Sequence, residues 1–489
     1  MPNNSLLGRS TRPLLVAGIL AFLLPVAWLS VLAGSRYAGN VLVFTAFALL
    51  SNALLLTGFR RGASFFDSFI GIFFWLGFFL KAAVRIAFFG GRFSESVGAF
   101  DGSGGAFDLA LTVASAAFAA LMIGSFLRQR ILSYPGHTPD CSNSGLFLFY
   151  CAHRQLLLAA FLALLVLITV SNAWLGIYQR GMIAQTILPL GLNGVYKWLL
   201  QFGLASGSAL IIRFEIMRSG ALSTTAIFLP LLENFMCNVS LLSRGMILNG
   251  SALVLGGFRQ LRSDSVRVGK MKVLVVIASF GFVFVASVFS VNFLRSQARL
   301  EEVASSQRVE MAADNAAYMS KTLFIDRWVG MESLMAVSAA KDLGWDLWRQ
   351  AWREKYDDKA LSLFDSRFIS SPYKDMKLGE RFHYVSLPGL IAFLFYTGSI
   401  PFVFTVSLAV AVLAGLMEMA CYRWCGRNLV LCSLFAQVVA FRFSSFGYVP
   451  SQSFLLFGSL ILNGVLIAGA DYLLSRRTNL HGARAAGTS

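Results

Sequence analysis

The sequence predicts an all-helical, polytopic membrane protein with about twelve transmembrane helices and one large, mainly helical loop domain. Three observations support this prediction: 57% of the 489 residues are hydrophobic, only 13% are charged, and the mean hydropathy is +0.68. Soluble domains are roughly 45–50% apolar and about 25% charged. A water-soluble globule could not bury this much apolar surface, and a disordered chain would be polar.

Twelve apolar segments approach the length of about 20 residues that a helix needs to cross a bilayer. The segment 244–258 is short, so it and 222–240 form either a hairpin or one broken element. The chain then divides into an N-terminal transmembrane bundle (1–294), an outer loop domain (295–385) and C-terminal transmembrane helices (386–489). The predicted spans are 13–33, 39–58, 66–89, 108–127, 155–175, 186–212, 222–240, 244–258, 272–294, 398–421, 428–446 and 450–474.

Basic residues predict the orientation, because short cytoplasmic loops carry an excess of Lys and Arg. With the N-terminus inside, nineteen basic residues lie in cytoplasmic segments and three, Arg36, Arg92 and Arg180, lie in short outer loops. Two crossings within 222–258 keep the basic cluster of residues 259–272 inside. Both termini are therefore predicted to be cytoplasmic.

The net charge of +17 belongs to the membrane part of the chain. The segment 295–385 contains 14 basic and 14 acidic residues, so its own charge is zero. In the membrane part the excess sets topology and favours contact with anionic membrane lipids, and it does not imply a nucleic-acid partner. The outer segment has no Cys, and no His or Asp completes a metal site beside Cys421 and Cys425. We expect no metal and no cofactor.

Aromatic residues mark the outer loop. Trp345, Trp348, Trp352 and Tyr356 would share one face of a helix. Such a face could be a platform on which sugar rings stack, an interfacial belt, or the packed side of the loop domain. The apolar segment 386–396 that follows is too short to cross a bilayer, so we expect a re-entrant or interfacial element.

Charged residues within predicted spans indicate function or an internal pair, because each costs roughly 2.5–3.5 kcal/mol at the bilayer centre. Arg244, at the tip of the 222–258 hairpin, could grip two phosphate oxygens or pair with Glu233. Glu418 and Asp471 lie near inner ends, where we expect cytoplasmic arginines as their partners. His383 is the only outer histidine and is either a general base or a surface residue.

The outer side as a whole is predicted to carry a positively charged site at the membrane surface. Such a site suits an anionic head group held at bilayer level, for example a lipid-linked diphosphate. Glu233, Glu332 and His383 are the candidate bases. The contributing arginines are Arg85, Arg92, Arg180, Arg244, Arg327, Arg381 and Arg442.

Three segments resemble bacterial O-antigen and oligosaccharide repeat-unit polymerases of the Wzy type. They are LLSRGMILN (241–249), DRWVGMESLMAV (326–337) and FHYVSLPGLIAFLFYTGS (382–399), and together they cover roughly a tenth of the chain. The remainder is similar only in topology, with a dozen or so helices and a large outer loop late in the chain.

The resemblance implies a metal-independent glycosyltransferase of the GT-C type in the bacterial inner membrane. It would act at the periplasmic face on undecaprenyl-diphosphate-linked glycans in polysaccharide or lipopolysaccharide biosynthesis, with a chain-length regulator protein as a partner. Arg244, Arg327 and Glu332 lie in the matched segments. The expected site comprises Glu332 and His383 as catalytic residues, Arg244, Arg327, Arg381 and Arg442 as diphosphate ligands, and Trp328, Trp345 and Trp352 as sugar-binding residues.

Two other functions remain open from the sequence. A related ligase would move a finished glycan to lipid A core or to protein, and its acceptor would distinguish it from a polymerase. A transporter or flippase of lipid-linked sugars would need charges along a path through mid-membrane, where Lys197 alone is deep enough. The large outer loop and the clustering of charge outside favour the polymerase.

Overall fold

A computed structural model describes residues 12–134, 144–266, 268–299, 325–357, 360–369, 383 and 385–486, and no β-strand occurs among them. The helices are α1 Arg12–Ser35, α2 Val41–Thr57, α3 Phe65–Phe89, α4 Gly104–Ile131, α5 Gly145–Ala152, α6 Arg154–Leu175, α7 Pro189–Ser219, α8 Thr224–Ser240, α9 Ile247–Ser263, α10 Lys270–Arg299, α11 Met331–Ser338, α12 Trp345–Trp352, α13 Leu363–Arg367, α14 Gly389–Leu394, α15 Ile400–Trp424, α16 Leu429–Ser444 and α17 Ser451–Ala486.

The helical membrane architecture predicted from composition is confirmed. Seven of the described helices, α3, α4, α6, α7, α10, α15 and α17, are long and apolar enough to cross a membrane. A helix also covers each of the other predicted spans, although α2, α8 and α9 have only 17 residues each and α16 has 16. The count of twelve crossings and the orientation of the chain stay predictions.

Small residues let the central helices approach closely, as is common where apolar helices pack in a membrane. A Cβ built on Gly124 of α4 would lie 2.8 Å from the Cβ of Ala411 on α15. A Cβ on Gly256 of α9 would lie 2.7 Å from the Cα of Val430 on α16. Neither glycine can be enlarged without moving a neighbouring helix.

The described part of the predicted outer domain packs directly onto the helix bundle. Buried residues of α11, α12, α13 and α14 share one hydrophobic core with α3, α4, α15 and α16. Helix α14 has six residues, which span about 9 Å, so it cannot cross a bilayer. All of its residues are buried, so this short helix is part of the core that the outer domain shares with the helix bundle.

Two carboxylates near the predicted inner ends cap helices. Glu418 of α15 accepts hydrogen bonds of 2.8 Å from the backbone N–H groups of Phe65 and Phe66, at the start of α3. Asp471 of α17 accepts from the Ser144 hydroxyl and the Leu146 N–H at the start of α5. Neither carboxylate forms a salt bridge with an arginine among the described residues, so the expected pairing is not found there, and the positive N-terminal ends of these helices hold the carboxylates instead.

Candidate functional site

A buried ion pair joins α3 to the first turn of α11. The Lys81 ammonium lies 2.8 Å from Oε2 of Glu332, and both side chains are almost fully buried. Lys81 Nζ also donates to the carbonyls of Asp326 at 3.1 Å and Trp328 at 2.6 Å. A cation at membrane depth thus has an internal partner, and that partner is one of the two predicted catalytic residues.

A π-helical turn at Trp75–Leu80 allows this contact by bringing two backbones together. A Cβ built on Gly77 would lie 2.2 Å from the carbonyl oxygen of Val329. A Cβ on Gly330 would lie 2.5 Å from the Gly77 carbonyl oxygen. Single π turns inside α-helices often occur at functional sites. Here the turn directly precedes Lys81, so it presents the ammonium group to the segment that carries Glu332.

The environment of Glu332 acts on the pKa of its carboxyl group in opposing directions. Burial raises the pKa of the carboxyl group, and the Lys81 ammonium only partly opposes this effect. Oε2 accepts from Lys81, whereas Oε1 is buried and accepts no hydrogen bond within the described part of the chain. One carboxylate oxygen is therefore held in place and the other retains its capacity to accept a proton or a hydroxyl donor.

The residues just before Glu332 add further charge. Arg85, one turn beyond Lys81 on α3, pairs with Asp326 at 2.5 Å. Arg327 is exposed to solvent, yet the surrounding protein and then the positive charge of Arg180 lower its pKa. The negative charge of Glu95 acts to raise the pKa of both Arg327 and Glu332. These residues consequently share one electrostatic neighbourhood that solvent can reach.

Four segments that each carry an arginine lie near Arg180, and we call Arg180, Arg244, Arg295, Arg327 and Arg442 the arginine cluster. Arg295 of α10 donates from its guanidinium to the Arg180 carbonyl at 2.7 Å. The charge of Arg180 acts on both Arg327 and Arg442. Arg180, Arg327 and Arg442 form no salt bridge with any side chain in the described ranges. The cluster therefore concentrates positive charge.

The tip of the α8–α9 hairpin brings Arg244 into the cluster. The Arg180 N–H donates to the Leu241 carbonyl at 2.9 Å, and a Cβ on Gly245 would lie 3.3 Å from Nη1 of Arg180. Arg244 begins a 3₁₀ turn and is buried. The side-chain amide of Asn234 on α8 donates to the Met246 carbonyl at 2.8 Å and fixes that turn. The tip of the hairpin, which carries Arg244, thus lies against Arg180.

His383 adjoins the same cluster through the backbone. Its N–H donates to the carbonyl of Gly181, the residue after Arg180, at 3.1 Å. Its Nε2 lies 3.0 Å from the hydroxyl of Tyr448, and its ring lies 5.4 Å from that of Tyr356. A partly exposed imidazole with an aromatic hydroxyl partner, next to a group of cations, can exchange protons with a bound hydroxyl.

The loop between α16 and α17 supports both His383 and the arginine cluster, and none of its residues was predicted from the sequence to belong to the site. Tyr448 contacts His383, and the Ser453 hydroxyl accepts from Nε of Arg442 at 2.7 Å. Between them Val449 adopts a φ of 43°, which is rare for a β-branched residue and indicates a constrained backbone. The Val449 N–H points to Glu354, whose pKa is raised by burial.

The predicted sugar-binding tryptophans have different surroundings. Trp328 stacks on Phe73 with ring centroids 6.0 Å apart. Trp352 packs against Phe393, Phe446 and Phe454. Trp345 keeps 49% of its surface exposed and makes an edge contact with Phe402. The face of α12 thus largely packs on the bundle, and Trp345 is the most accessible of the three.

The remaining predicted residues have separate outcomes. Arg381 lies outside the described residues. Glu233 is buried on α8 and makes no salt bridge with Arg244, so the alternative of an ion pair within the hairpin is wrong for the described side chains. Its Oε2 accepts no hydrogen bond in these ranges. No group of three or more His, Cys, Asp or Glu residues in the described segments could hold a metal ion.

The arrangement combines a concentration of guanidinium groups, a solvent-accessible approach at Arg327 and two proton-accepting groups, Glu332 and His383. Guanidinium groups bind phosphate oxygens through paired N–H donors. The site can therefore hold a polyanion and accept a proton from a neighbouring hydroxyl. Comparison of the chain with protein-family models, with curated proteins and with solved structures gives no match.

Proposed function

We propose that this protein polymerises undecaprenyl-diphosphate-linked oligosaccharide repeat units at the periplasmic face of the bacterial inner membrane by metal-independent glycosyl transfer. The observation that carries the proposal is the arginine cluster. Its guanidinium groups gather within a helical membrane protein, next to two candidate bases. A diphosphate head group at bilayer level carries the complementary charge, and its lipid tail would lie among the apolar helices.

In the proposed reaction the arginine cluster binds the diphosphate of the lipid-linked donor. A hydroxyl oxygen of the acceptor repeat unit forms a bond to the anomeric carbon of the donor sugar. The bond from that carbon to the diphosphate oxygen breaks, and its electron pair leaves with the diphosphate. Guanidinium donors stabilise this departing charge, so no metal is required. Glu332 or His383 accepts the proton of the attacking hydroxyl.

Two features support the assignment of the bases. Oε1 of Glu332 accepts no hydrogen bond in the described ranges, and burial raises the pKa of this carboxyl group above its ordinary value, as is common at functional sites. His383 is partly exposed and is held by Gly181, beside the cluster. Glu332→Gln and His383→Ala variants that still insert would separate the two roles, and normal activity in both would place the base elsewhere.

The proposal is tested by the surface glycan profile of the host. We expect deletion of the gene to collapse the ladder to core plus one repeat unit. A returned wild-type copy should restore the ladder, and an Arg244→Ala copy should not. Arg349→Ala, which removes a surface arginine that is 64% exposed, is the matched control and should restore it. All copies are compared at equal abundance in the membrane.

Other glycan profiles would indicate a function other than polymerisation, or a different diphosphate site. Loss of all surface repeats, with polymer accumulating on its carrier lipid, would indicate the ligase. An unchanged ladder after deletion would contradict polymerisation and would favour transport of a lipid-linked sugar. A normal ladder from the Arg244→Ala copy would contradict the diphosphate role of the hairpin.

A further inference from the structure

Lys197 on α7 is a cation that forms no salt bridge with a side chain in the described ranges. Its ammonium nitrogen lies 5.4 Å from the centre of the Tyr178 ring, which is a cation–π distance. Both residues are partly exposed, so a ligand can reach them. The ring fixes the position of the ammonium group but does not neutralise its charge.

The hydroxyl of Tyr178 is held on its acceptor side. It accepts a hydrogen bond of 2.8 Å from the side-chain amide of Gln201, and no acceptor in the described part of the chain takes its own proton. Gln201 lies in a second π-helical turn, Leu199–Gly203. The Asn249 amide of α9 donates to the Gln201 carbonyl at 2.7 Å and fixes this turn. The phenol is therefore positioned and keeps one donor for a ligand.

Arg442 on α16 supplies a third donor close to Tyr178, and the two residues interact electrostatically. A Cβ built on Gly245 would lie 3.7 Å from the Phe441 ring and 3.3 Å from Nη1 of Arg180. The end of α16 thus meets the loop that carries Tyr178. Nη2 of Arg442 is buried and makes no hydrogen bond within the described segments. An unpaired buried donor costs free energy, and an acceptor on a bound ligand would remove this cost.

These three donors lie at the membrane end of the arginine cluster. Lys197 belongs to a helix that is long and apolar enough to cross the membrane. Arg327 and His383 instead lie outside the predicted spans. Ammonium, phenol and guanidinium groups are donors that phosphoryl oxygens accept from. A lipid diphosphate has two phosphoryl groups, one next to the sugar and one next to the lipid, so its lipid end would face Lys197.

We propose that Lys197, Tyr178 and Arg442 bind the phosphoryl group next to the lipid, while the other arginines of the cluster bind the one next to the sugar. This inference rests on the proposed function and adds the direction in which the diphosphate lies. The sugar then points toward His383, which is held beside Arg180. Lys197 and Tyr178 consequently distinguish a polyprenyl diphosphate from a polyprenyl monophosphate.

The test is binding of sugar-free polyprenyl phosphates to the purified full-length chain in detergent. Dissociation constants are measured for undecaprenyl diphosphate and undecaprenyl monophosphate. We expect the wild type to bind the diphosphate at least about tenfold more tightly, as a hydrogen bond to a charged group allows. Lys197→Met should lower this preference about tenfold and Tyr178→Phe about two- to tenfold. Lys197→Arg should keep most of it, and Lys270→Met, which removes an exposed lysine of α10, should leave it unchanged.

Binding without a sugar separates this inference from the proposed function. A diphosphate preference that depends on Lys197 and Tyr178 supports the subsite even if the chain makes no polymer. Tyr178→Phe keeps the ring, so it remains informative if Lys197→Met impairs folding. Equal affinity of the wild type for both lipids, or an unchanged preference in the folded variants, would overturn the inference. Displacement of the lipid by an equal concentration of inorganic diphosphate would also overturn it, because the subsite would then bind a free anion.

Discussion

Removal of the Lys81 ammonium tests the electrostatics of the buried pair most sharply. In Lys81→Met the Glu332 carboxyl group loses its salt bridge at 2.8 Å, and Oε1 already lacks a donor within the described structure. Breaking a buried ion pair by removing one partner costs about 3–5 kcal/mol, because the other charge stays buried. The double variant Lys81→Met/Glu332→Gln buries no charge, so it should recover most of this loss.

The loss of folding stability caused by Lys81→Met should increase as the pH rises. Burial raises the pKa of Glu332 in the folded protein, and without Lys81 only a backbone hydrogen bond to the carboxyl group opposes this effect. The unfolded chain releases the proton near pH 4.3, while the folded state retains it to higher pH. The folded state binds more protons in this interval, so stability falls as pH rises from about 4.3 toward the raised pKa. The double variant lacks the carboxyl group and should not show this added dependence.

The assay is the midpoint of thermal unfolding of purified protein in detergent, measured between pH 5 and pH 8 for the wild type, Lys81→Met, Glu332→Gln and the double variant. We expect the unfolding midpoint of Lys81→Met to fall further below that of the wild type than the midpoint of the double variant does. The difference between these two midpoints should be largest at pH 8. Equal midpoints for Lys81→Met and the double variant at every pH, or a gap that narrows as pH rises, would refute a buried pair that couples α3 to Glu332.

Three further predictions follow from single contacts. Tyr448→Phe removes a hydrogen bond of 3.0 Å to its histidine partner, and glycan transfer should fall about two- to tenfold at unchanged protein abundance, as expected for a bond worth roughly 0.5–1.5 kcal/mol. Trp352→Ala should lower the free energy of unfolding by about 3–5 kcal/mol, because the Trp352 ring packs on three phenylalanines. Trp345 is half-exposed, so Trp345→Ala should cost much less. Equal losses of stability in thermal unfolding would contradict this packing. Gly77→Ala should destabilise the protein by more than 1 kcal/mol because its Cβ would meet a carbonyl oxygen at 2.2 Å, while Gly458→Ala, with open space around it, should be neutral or stabilising in the same assay.

Hydropathy predicts the helices of this protein well because bilayer-length apolar runs must hydrogen-bond their own backbone. A described helix covers each predicted span, from α1 to α17. Breaks within helices were not predictable in this way. The π turn at Trp75–Leu80 lies in a uniformly apolar run, and it coincides with the close approach of Gly330 from a segment more than 250 residues away.

The candidate site was predictable only where charge is unusual for its location. Arginines near span ends are conspicuous in an apolar sequence, and the structure gathers four of those predicted, Arg180, Arg244, Arg327 and Arg442. Arg295 joins them through a contact with a backbone carbonyl, which no local pattern encodes.

Contacts between residues that are distant in the sequence were harder to predict. The partnership of Lys81 with Glu332 depends on long-range packing. Tyr448 lies in a segment with no charge or motif, and the one available signal was a Gly before a polar aromatic residue in a short loop between spans. The aromatic face of α12 was open to three interpretations because stacking on sugars, an interfacial belt and packing within the protein use the same residues at the same spacing.

The most direct test of the account is transfer by the purified chain itself. The protein is reconstituted into liposomes with undecaprenyl-diphosphate-linked repeat units from its host, in the presence of EDTA, and the products are separated by size. We expect the wild type to convert single repeats into a ladder of longer glycans on the carrier lipid, and Arg244→Ala to leave them as single repeats. No ladder from the intact, correctly inserted wild type, or an equal ladder from Arg244→Ala, would contradict polymerisation through the arginine cluster.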